Sequence, residues 1–157
     1  NPENLLISAK TPGKFAELYR TVICTPVIGT FLYNIMVNKK TIEKDFRLDY
    51  YYDQNKITEK DIMYFYEASQ KHHTKGKYLY ANINSGFTNT NIIHGLRNIT
   101  QPIYIFTGKE NPENILAANQ YQNYLPDTHI VELEKTKRFP HMERPEYFID
   151  NLESLYL

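Results

Sequence analysis

The feature that most constrains this chain is a strand, a loop and a helix at its C-terminal end. Residues 129–134 are a short apolar and β-branched run with turn residues before it, which is typical of a buried strand. Pro145 stands where a helix would begin, because the first helical position tolerates the missing N–H of proline. Apolar residues recur behind it at helical spacing, at Tyr147, Phe148, Leu152 and Leu155. This unit predicts an α/β protein in which one face of the last helix packs inward.

Two earlier apolar runs, residues 5–8 and 102–107, are predicted to be strands of the same sheet. Together with residues 129–134 they predict about three parallel strands. A sheet this small leaves a strand edge open, and native proteins cover such edges because unpaired backbone groups attract other chains. We therefore expect something outside this sequence to cover the edge.

Residues 10–100, between the first two predicted strands, are predicted to be helical, because apolar side chains recur there at helical spacing. Thr58 is a predicted helix N-cap, with Asp61 three residues on as its partner in a capping box. This helix is predicted to continue to about Thr74, and Gly76 is predicted to end it.

A basic cluster is predicted at the end of this helix, where positive charge suits the negative end of the helix dipole. It consists of Lys71, His72, His73, Lys75 and Lys77. Adjacent histidines point to different helix faces, so we predict a solvated surface there rather than a shared metal ion.

The composition fits an ordinary globular domain and excludes several classes of partner. The 157 residues are 41% hydrophobic and 23% charged, and their formal net charge is zero. A neutral chain has no long-range field that attracts nucleic acid or an anionic membrane. Its one cysteine, Cys24, cannot form an intramolecular disulfide and fits a reducing compartment. No apolar run reaches transmembrane length and no signal pattern opens the sequence, so we expect a cytoplasmic protein.

The C-terminal loop carries a resemblance to a known family. Residues 139–148, FPHMERPEYF, resemble the C-terminal signature of the α/β-hydrolase superfamily, in which a catalytic His precedes a Pro, a Glu and a second Pro. Residues 101–112, QPIYIFTGKENP, are similar to the strand and loop that carry the acid of that family. Residues 3–8 are similar to the strand that follows the family's nucleophile.

The resemblance covers the whole chain but only the second half of the family's fold. It implies a partial α/β-hydrolase fold, with residues 1–9 and 101–157 in the core and a helical cap inserted at roughly residues 10–100. It also implies that a missing N-terminal half, or a second copy of this chain, covers the open strand edge. The substrate class that it implies is a small ester or other acyl molecule.

In this family a nucleophile, an acid and a His follow one another along the chain, and the nucleophile usually lies in the motif G-x-S-x-G. The His takes the proton of the nucleophile, and the acid orients the His and stabilises its charged form. These residues contain no G-x-S-x-G. The resemblance therefore puts the nucleophile outside this chain and predicts that the chain alone is inactive. The family's reaction uses no metal and no cofactor, and we expect neither here.

The acid position of the family is altered in this sequence. The acid often follows Gly by three residues, and Asn111 occupies that position after Gly108. A neutral amide accepts a hydrogen bond from the imidazole but cannot stabilise its positive charge. Asn111 also fits a helix N-cap, with Pro112 at the first helical position. Glu110 is the alternative acid, provided that the loop turns it toward the base.

The histidine position is altered as well. The family's His lies two residues before the first Pro of the signature, and here that residue is Arg138. A guanidinium stays protonated at physiological pH and cannot act as a general base. His141, three residues further on, is the nearest imidazole, and it either replaces the base or braces the final helix. Glu143 is, by resemblance, a structural residue that hydrogen-bonds the loop behind the histidine position.

Three functions remain open from the sequence. The first is a serine-type hydrolase of small ester or acyl substrates, with its nucleophile outside this chain. The second is a non-catalytic protein of the α/β-hydrolase fold that binds a ligand or acts as a scaffold, for which the altered residues Asn111 and Arg138 argue. The third is an unrelated small α/β domain that docks through its open strand edge.

Overall fold

The structure, a computed structural model, describes residues 2, 4–71 and 75–155. These residues form mostly helices, with a small sheet toward the C-terminal end. The α-helices are α1 (Leu5–Ser8), α2 (Lys14–Cys24), α3 (Ile28–Met36), α4 (Lys39–Asp45), α5 (Glu59–Gln70), α6 (Gly76–Asn84), α7 (Ile93–Leu96), α8 (Pro112–Gln122), α9 (Pro140–Glu143) and α10 (Pro145–Glu153). A π-helical turn covers Phe46–Tyr50, and a 3-10 turn covers Gln54–Lys56. Over the described part of the chain, no helix has the length and apolar character needed to cross a membrane.

Among the described residues, two strands form the sheet. β1 (Ile103–Gly108) and β2 (Thr128–Leu133) lie parallel and pair along their whole length. The helix α8 between them makes the crossover that a parallel pair requires. The predicted strands at 102–107 and 129–134 are therefore confirmed, each within one residue of its bounds.

The prediction of a strand at residues 5–8 is wrong, because these residues form the helix α1. The run is too short to show a period, and leucine is a good helix former. Leu5 is 1% exposed, whereas Leu6 and Ile7 are 56% and 51% exposed, so only one face of this turn packs inward. The N–H of Leu5 donates to Oε1 of Gln120 on α8 at 3.0 Å. The sheet in the described residues therefore has two strands rather than about three.

The described residues divide into two compact units. The sheet unit comprises Asn1–Leu5, Phe46–Ile57 and Ile92–Leu157, and the helical unit comprises Leu6–Asp45 and Thr58–Asn91, in each case as far as these ranges are described. The sheet unit thus includes a stretch, Phe46–Ile57, from inside the segment for which the resemblance implies a cap. We call this the inserted stretch. The boundary between core and cap stays a prediction.

Two apolar clusters lie among the described residues of the sheet unit. The first consists of three buried leucines, Leu5, Leu96 and Leu125. In the second, Phe46 is 0% exposed, and its ring centroid lies 5.5 Å from that of Tyr51 and 6.5 Å from that of Phe139. Because Phe46 begins the inserted stretch and Phe139 follows β2, this cluster fixes the stretch to the C-terminal loop.

The helical unit contains buried polar side chains that are hydrogen-bonded between its helices. Tyr33 on α3 is 2% exposed, and its hydroxyl donates to the carbonyl of Ser69 at 2.8 Å. Lys77 on α6 is 4% exposed. Its ammonium donates to the carbonyl of Thr25 at 2.7 Å and to the hydroxyl of Thr30 at 2.9 Å. These partners satisfy groups whose burial would otherwise be costly.

The predicted solvated basic cluster is wrong at Lys77, which is buried rather than exposed. The sequence around Lys77 gives no sign that backbone carbonyl groups at the end of another helix accept hydrogen bonds from its ammonium. The helix α5 ends at Gln70, and Gly76 begins α6 instead of ending α5. The predictions for residues 72–74, which include both adjacent histidines, lie outside the described residues.

Thr58 caps α5 as the sequence predicts. Its hydroxyl accepts a hydrogen bond from the N–H of Asp61 at 3.2 Å, and the Asp61 carboxylate accepts one from the N–H of Thr58 at 3.1 Å. The capping box is therefore confirmed, and it satisfies two backbone donors that the first turn of a helix leaves unpaired.

Replacing Thr58 with alanine should lower the free energy of unfolding by about 1 kcal/mol, because a first-turn N–H of α5 loses its acceptor. Thr11 is exposed in the same unit and lies outside any helix. Thr11→Ala should therefore stay within about 0.5 kcal/mol of wild type. Urea unfolding of both variants measures the difference, and equal free energies for the two would contradict the capping role.

Candidate functional site

The loops that leave β1 and β2 enclose a groove at the carboxyl ends of the strands. Because the strands are parallel, both loops start at the same edge of the sheet, and open α/β sheets bind ligands outside this edge. We call this cavity, of about 530 Å³, the strand-end groove. It is lined by Leu48, Asp49, Glu110, Asn111, Pro112, Glu113, Lys137 and Arg138.

Gly108, the last residue of β1, allows the two loops to lie against each other. A Cβ atom at this position would stand 2.0 Å from the carbonyl oxygen of Lys137 and 2.5 Å from that of Thr136. The N–H of Glu110 donates to the Thr136 carbonyl at 3.1 Å, so the loop after β1 is hydrogen-bonded to the loop after β2. This contact fixes the backbone from which the groove side chains project.

The loop after β2 is also fixed by the carboxylate of Glu143, which is 1% exposed. Oε1 accepts a hydrogen bond from the N–H of Lys137 at 2.6 Å, and Oε2 accepts one from the N–H of Tyr52 at 2.7 Å. Such charge-assisted bonds offset the cost of burying a carboxylate. The prediction that Glu143 is a structural residue that hydrogen-bonds this loop is confirmed.

Asn111 serves as a helix cap. Its side-chain oxygen accepts a hydrogen bond from the N–H of Asn114 at 3.3 Å, and Pro112 begins α8. The predicted capping role is confirmed, and it turns the amide oxygen toward its own helix. Glu110, the preceding residue, is exposed and lines the groove.

Arg138 is exposed and lies beside Tyr50 of the inserted stretch. The central carbon of its guanidinium is 5.5 Å from the centre of the Tyr50 ring, which is a cation–π contact. Its backbone N–H donates to the Tyr50 carbonyl at 3.1 Å. A permanent positive charge therefore stands where the resemblance implies the catalytic His.

His141 lies on α9 and lines a different cavity. Its ring stands edge-on to those of Phe139 and Phe148, with centroids 6.1 Å from its own in both cases. We call this second cavity, of about 370 Å³, the β1-edge groove. It is lined by Pro2, Leu96, Ile103, Tyr104, Ile105, Phe106, Tyr121, Pro140, His141 and Phe148. The structure thus brings together three of the candidate catalytic residues and leaves His141 apart from them.

The strand-end groove carries side chains of both charges, and its described lining contains no His or Cys. The charged residues are Asp49, Glu110, Glu113, Lys137 and Arg138. The Lys137 ammonium donates to the carbonyl of Leu48 at 2.6 Å. Within the described ranges, no group of three or more His, Cys, Asp or Glu side chains is placed to hold a metal ion. The groove therefore offers charge and hydrogen-bond donors, but no imidazole to act as a base.

An ion pair joins the two loops at the surface. The Lys109 ammonium lies 2.9 Å from Oε1 of Glu134. Their hydrogen bond raises the pKa of Lys109 and lowers the pKa of Glu134. Because both groups are exposed, solvent screens this pair and it contributes little to stability.

Sequence reasoning missed the part of the groove that comes from the inserted stretch. Leu48 and Asp49 line the groove, although the sequence predicts this stretch only as part of a helical segment. The hydrogen bond from Lys137 to Leu48 joins residues 89 apart in the sequence. Hydrophobic periodicity indicates the structure of one element at a time, so it gives no signal for this contact.

Comparison with solved structures supports the fold. The epoxide hydrolase CorEH, solved without ligand, is similar to 94% of this chain, with a TM-score of 0.60 and 17% sequence identity. The match covers 53% of that chain, so this chain spans about half the length of the hydrolase. No protein-family model matches this chain, and no curated protein sequence matches it either.

The fold and the site together define a mostly helical α/β protein, with a two-stranded parallel sheet and a polar groove at the strand ends. At 17% identity the likeness to CorEH shows the fold alone, and it extends over 53% of that chain.

Gly108→Ala should destabilise the protein by about 1–3 kcal/mol or more, because the new methyl group would collide with backbone atoms rather than with a flexible side chain. Gly95, in the same unit, has no atom within 4 Å of an added Cβ. Gly95→Ala should be neutral or should stabilise by up to about 1 kcal/mol, since alanine is the better helix former. Thermal unfolding compares the two, and a Gly108→Ala protein as stable as wild type would contradict the close approach of the loops.

Glu143→Gln should cost about 1–3 kcal/mol of unfolding free energy, because an amide keeps one acceptor oxygen and turns an N–H₂ group toward the other backbone donor. Glu153→Gln is the matched control, since Glu153 is exposed at the end of α10. Urea unfolding measures both variants. If the two substitutions have the same effect, the Glu143 carboxylate does not hold the loop.

Proposed function

We propose that this chain supplies the C-terminal half and cap of an α/β-hydrolase-type protein that binds a small ester or other acyl molecule without cleaving it. The observation that carries the proposal is the set of residues that line the strand-end groove. Glu110, Asn111 and Arg138 meet there, and His141 lines another cavity. The groove lies at the edge where α/β proteins bind ligands, which supports a binding role.

Hydrolysis by this family's chemistry needs a proton acceptor beside the nucleophile. Arg138 stays protonated and Asn111 carries no charge, so neither replaces the usual pair. Moving His141 into the groove would displace the loop after β2, whose backbone is hydrogen-bonded to the buried Glu143 carboxylate. General base catalysis contributes roughly 10²–10⁴-fold to a rate. Loss of the base therefore favours binding over turnover.

Arg138 has the chemistry to recognise an acyl group. A guanidinium donates hydrogen bonds to a carbonyl or carboxylate oxygen, and such charge-assisted bonds are roughly twice as strong as neutral ones. Its contact with the Tyr50 ring, together with the hydrogen bond from its backbone N–H, restricts its position before a ligand arrives. Preorganisation of this kind lowers the entropy cost of binding.

A second candidate function is a serine-type hydrolase of small ester or acyl substrates, with its nucleophile outside this chain and no metal or cofactor. Two observations favour it. The fold is similar to part of CorEH, which is an epoxide hydrolase, and residues 139–148 keep most of the tail signature. In this function His141 would be the base, and either Glu110 or Asn111 would orient it.

Binding and turnover can be measured with the longest natural protein that contains this chain. It should not hydrolyse p-nitrophenyl acetate faster than buffer does, and it should bind the amide analogue p-nitroacetanilide in calorimetry. Arg138→Gln should weaken this binding about tenfold, which corresponds to about 1.4 kcal/mol. The matched control is Arg97→Gln, because the Arg97 guanidinium also lies over a tyrosine ring, 5.8 Å from that of Tyr124, but does not line the groove.

The possible outcomes separate the two functions. Turnover by the wild-type protein that His141→Asn abolishes would establish the hydrolase and end the binding proposal. Equal affinities of the Arg138→Gln and Arg97→Gln variants, or no binding by wild type, would show that the strand-end groove is not the acyl site.

A further inference from the structure

A further cavity of the sheet unit brings positively charged side chains together. We call this cavity, of about 540 Å³, the cationic groove. Its three cations are Lys56 of the inserted stretch, Lys135 of the loop after β2, and Arg144, which directly precedes α10. A cleft that is lined by charges of one sign concentrates ions of the opposite sign. The complete lining is Tyr52, Asp53, Gln54, Asn55, Lys56, Lys135, Glu143 and Arg144.

Two of these cations are held in place by backbone carbonyl groups. The Lys56 ammonium donates to the carbonyl of Glu143 at 2.5 Å, and the Arg144 guanidinium donates to the carbonyl of Glu134 at 3.1 Å. The central carbon of the guanidinium also lies 4.4 Å from the centre of the Tyr147 ring. Neutral partners of this kind position a cation without removing its charge. Because an ammonium has three donors and a guanidinium has five, both groups keep donors for a ligand.

The carboxylates of the groove bond to backbone N–H groups rather than to these cations. Both oxygens of Glu143 do so, and Oδ1 of Asp53 accepts a hydrogen bond from the N–H of Asn55 at 3.0 Å. The Glu134 carboxylate, near the groove, pairs with Lys109. Among the described residues, none of the three cations of the groove forms a close ion pair. Their charge is therefore available to an anion.

The backbone of Lys135 indicates a use for its side chain. Its φ is 56°, and in the described part of the chain it is the one residue other than glycine with a positive φ. This left-handed conformation favours glycine and costs free energy in other residues. Such costs are typical of functional positions. Stability alone would therefore favour glycine here, whereas lysine adds an exposed ammonium to the groove.

From these observations we propose that the cationic groove binds a phosphate group, either as inorganic phosphate or as part of a small phosphorylated molecule. A phosphate monoester carries about 1.5 to 2 negative charges at pH 7, and it accepts strong charge-assisted hydrogen bonds from ammonium and guanidinium groups. A carboxylate has one charge and two oxygens, so it would use three cations less fully. The volume of the groove is typical of small-molecule sites. Tyr52, which is 48% exposed, offers its ring to the rest of such a molecule.

Charge distinguishes this groove from the cavities around it. An adjoining cavity shares Lys56 and Arg144 but also contains Glu146 and Asp150, whose carboxylates would repel phosphate. The strand-end groove shares no lining residue with the cationic groove. The phosphate site is therefore separate from the proposed acyl site and does not rest on the proposed function.

Calorimetry with the longest natural protein tests the proposal. Inorganic phosphate and phenyl phosphate are the probes, and acetate at the same ionic strength should bind much more weakly. Tighter binding of phenyl phosphate would identify a phosphorylated molecule as the ligand, and tighter binding of inorganic phosphate would identify the free ion.

Substitutions at Lys135 separate binding from stability. Lys135→Gly and Lys135→Gln should each weaken phosphate binding about tenfold, because a charge-assisted hydrogen bond is lost. Without phosphate, Lys135→Gly should unfold at a higher temperature than wild type, because glycine relieves the left-handed backbone. The matched control is Lys60→Gln, since Lys60 is exposed on α5 and does not line the groove. It removes the same charge and should leave the affinity unchanged.

Four results would overturn the proposal. No phosphate binding by wild type would exclude the site, and equal affinities of the Lys135→Gly and Lys60→Gln variants would reduce the effect to net charge. Acetate that binds as tightly as phosphate would show an unselective attraction of anions. Loss of phosphate binding in Arg138→Gln, with Lys135→Gly unaffected, would move the anion to the strand-end groove. No readout uses p-nitroacetanilide, so failure here is distinguishable from failure of the proposed function.

Discussion

The strand-end groove depends on one buried carboxylate. Glu143 accepts hydrogen bonds from the backbone of Lys137, which follows β2, and of Tyr52, which belongs to the inserted stretch. Both donors are main-chain N–H groups, so the carboxylate fixes the course of the chain in two segments that are distant in sequence. The Lys56 ammonium donates to the backbone carbonyl of Glu143 at 2.5 Å. The ring of Phe46, which begins the inserted stretch, packs near that of Phe139. Polar and apolar contacts thus attach the inserted stretch to the same loop.

The fixed loop determines the chemistry of the groove. Arg138 follows Lys137 directly and lies over the ring of Tyr50, so its charge stays at the position where the resemblance implies a base. The side-chain oxygen of Asn111, in the loop after β1, caps α8. The ring of His141 packs against that of Phe148, and both residues line the β1-edge groove. The guanidinium of Arg138 therefore lines the strand-end groove, and the imidazole of His141 lines the other cavity.

Local signals in the sequence predicted local features well. The two strands, the capping box at Thr58 and the cap at Asn111 each follow from residues within one element and its flanks, and the structure confirms them. The role of Glu143 came from the family resemblance, and the bond to Lys137 confirms it. The caps at Thr58 and Asn111 and the bond from Lys137 to Glu143 join residues only three to six positions apart, which is close to the range over which capping rules act.

Features that depend on distant contacts were not predictable. Residues 5–8 form a helix rather than a strand because Leu5 packs and bonds against other elements, and so short an apolar run has no period of its own. Lys77 is buried because carbonyl groups near Thr25 accept its hydrogen bonds. Arg138 and His141 are only three residues apart in the sequence, yet they line different cavities. Tertiary packing, which the sequence does not show, separates them.

The central claim is that the strand-end groove contains Arg138 and that its described lining has no imidazole. A crystal structure of the longest natural protein with p-nitroacetanilide bound tests it most directly. The ligand's carbonyl oxygen should lie within hydrogen-bond distance of the Arg138 guanidinium, with His141 still packed against Phe148. An imidazole of His141 in the groove, hydrogen-bonded to Glu110 or Asn111 and facing a nucleophile from the rest of the protein, would contradict the claim.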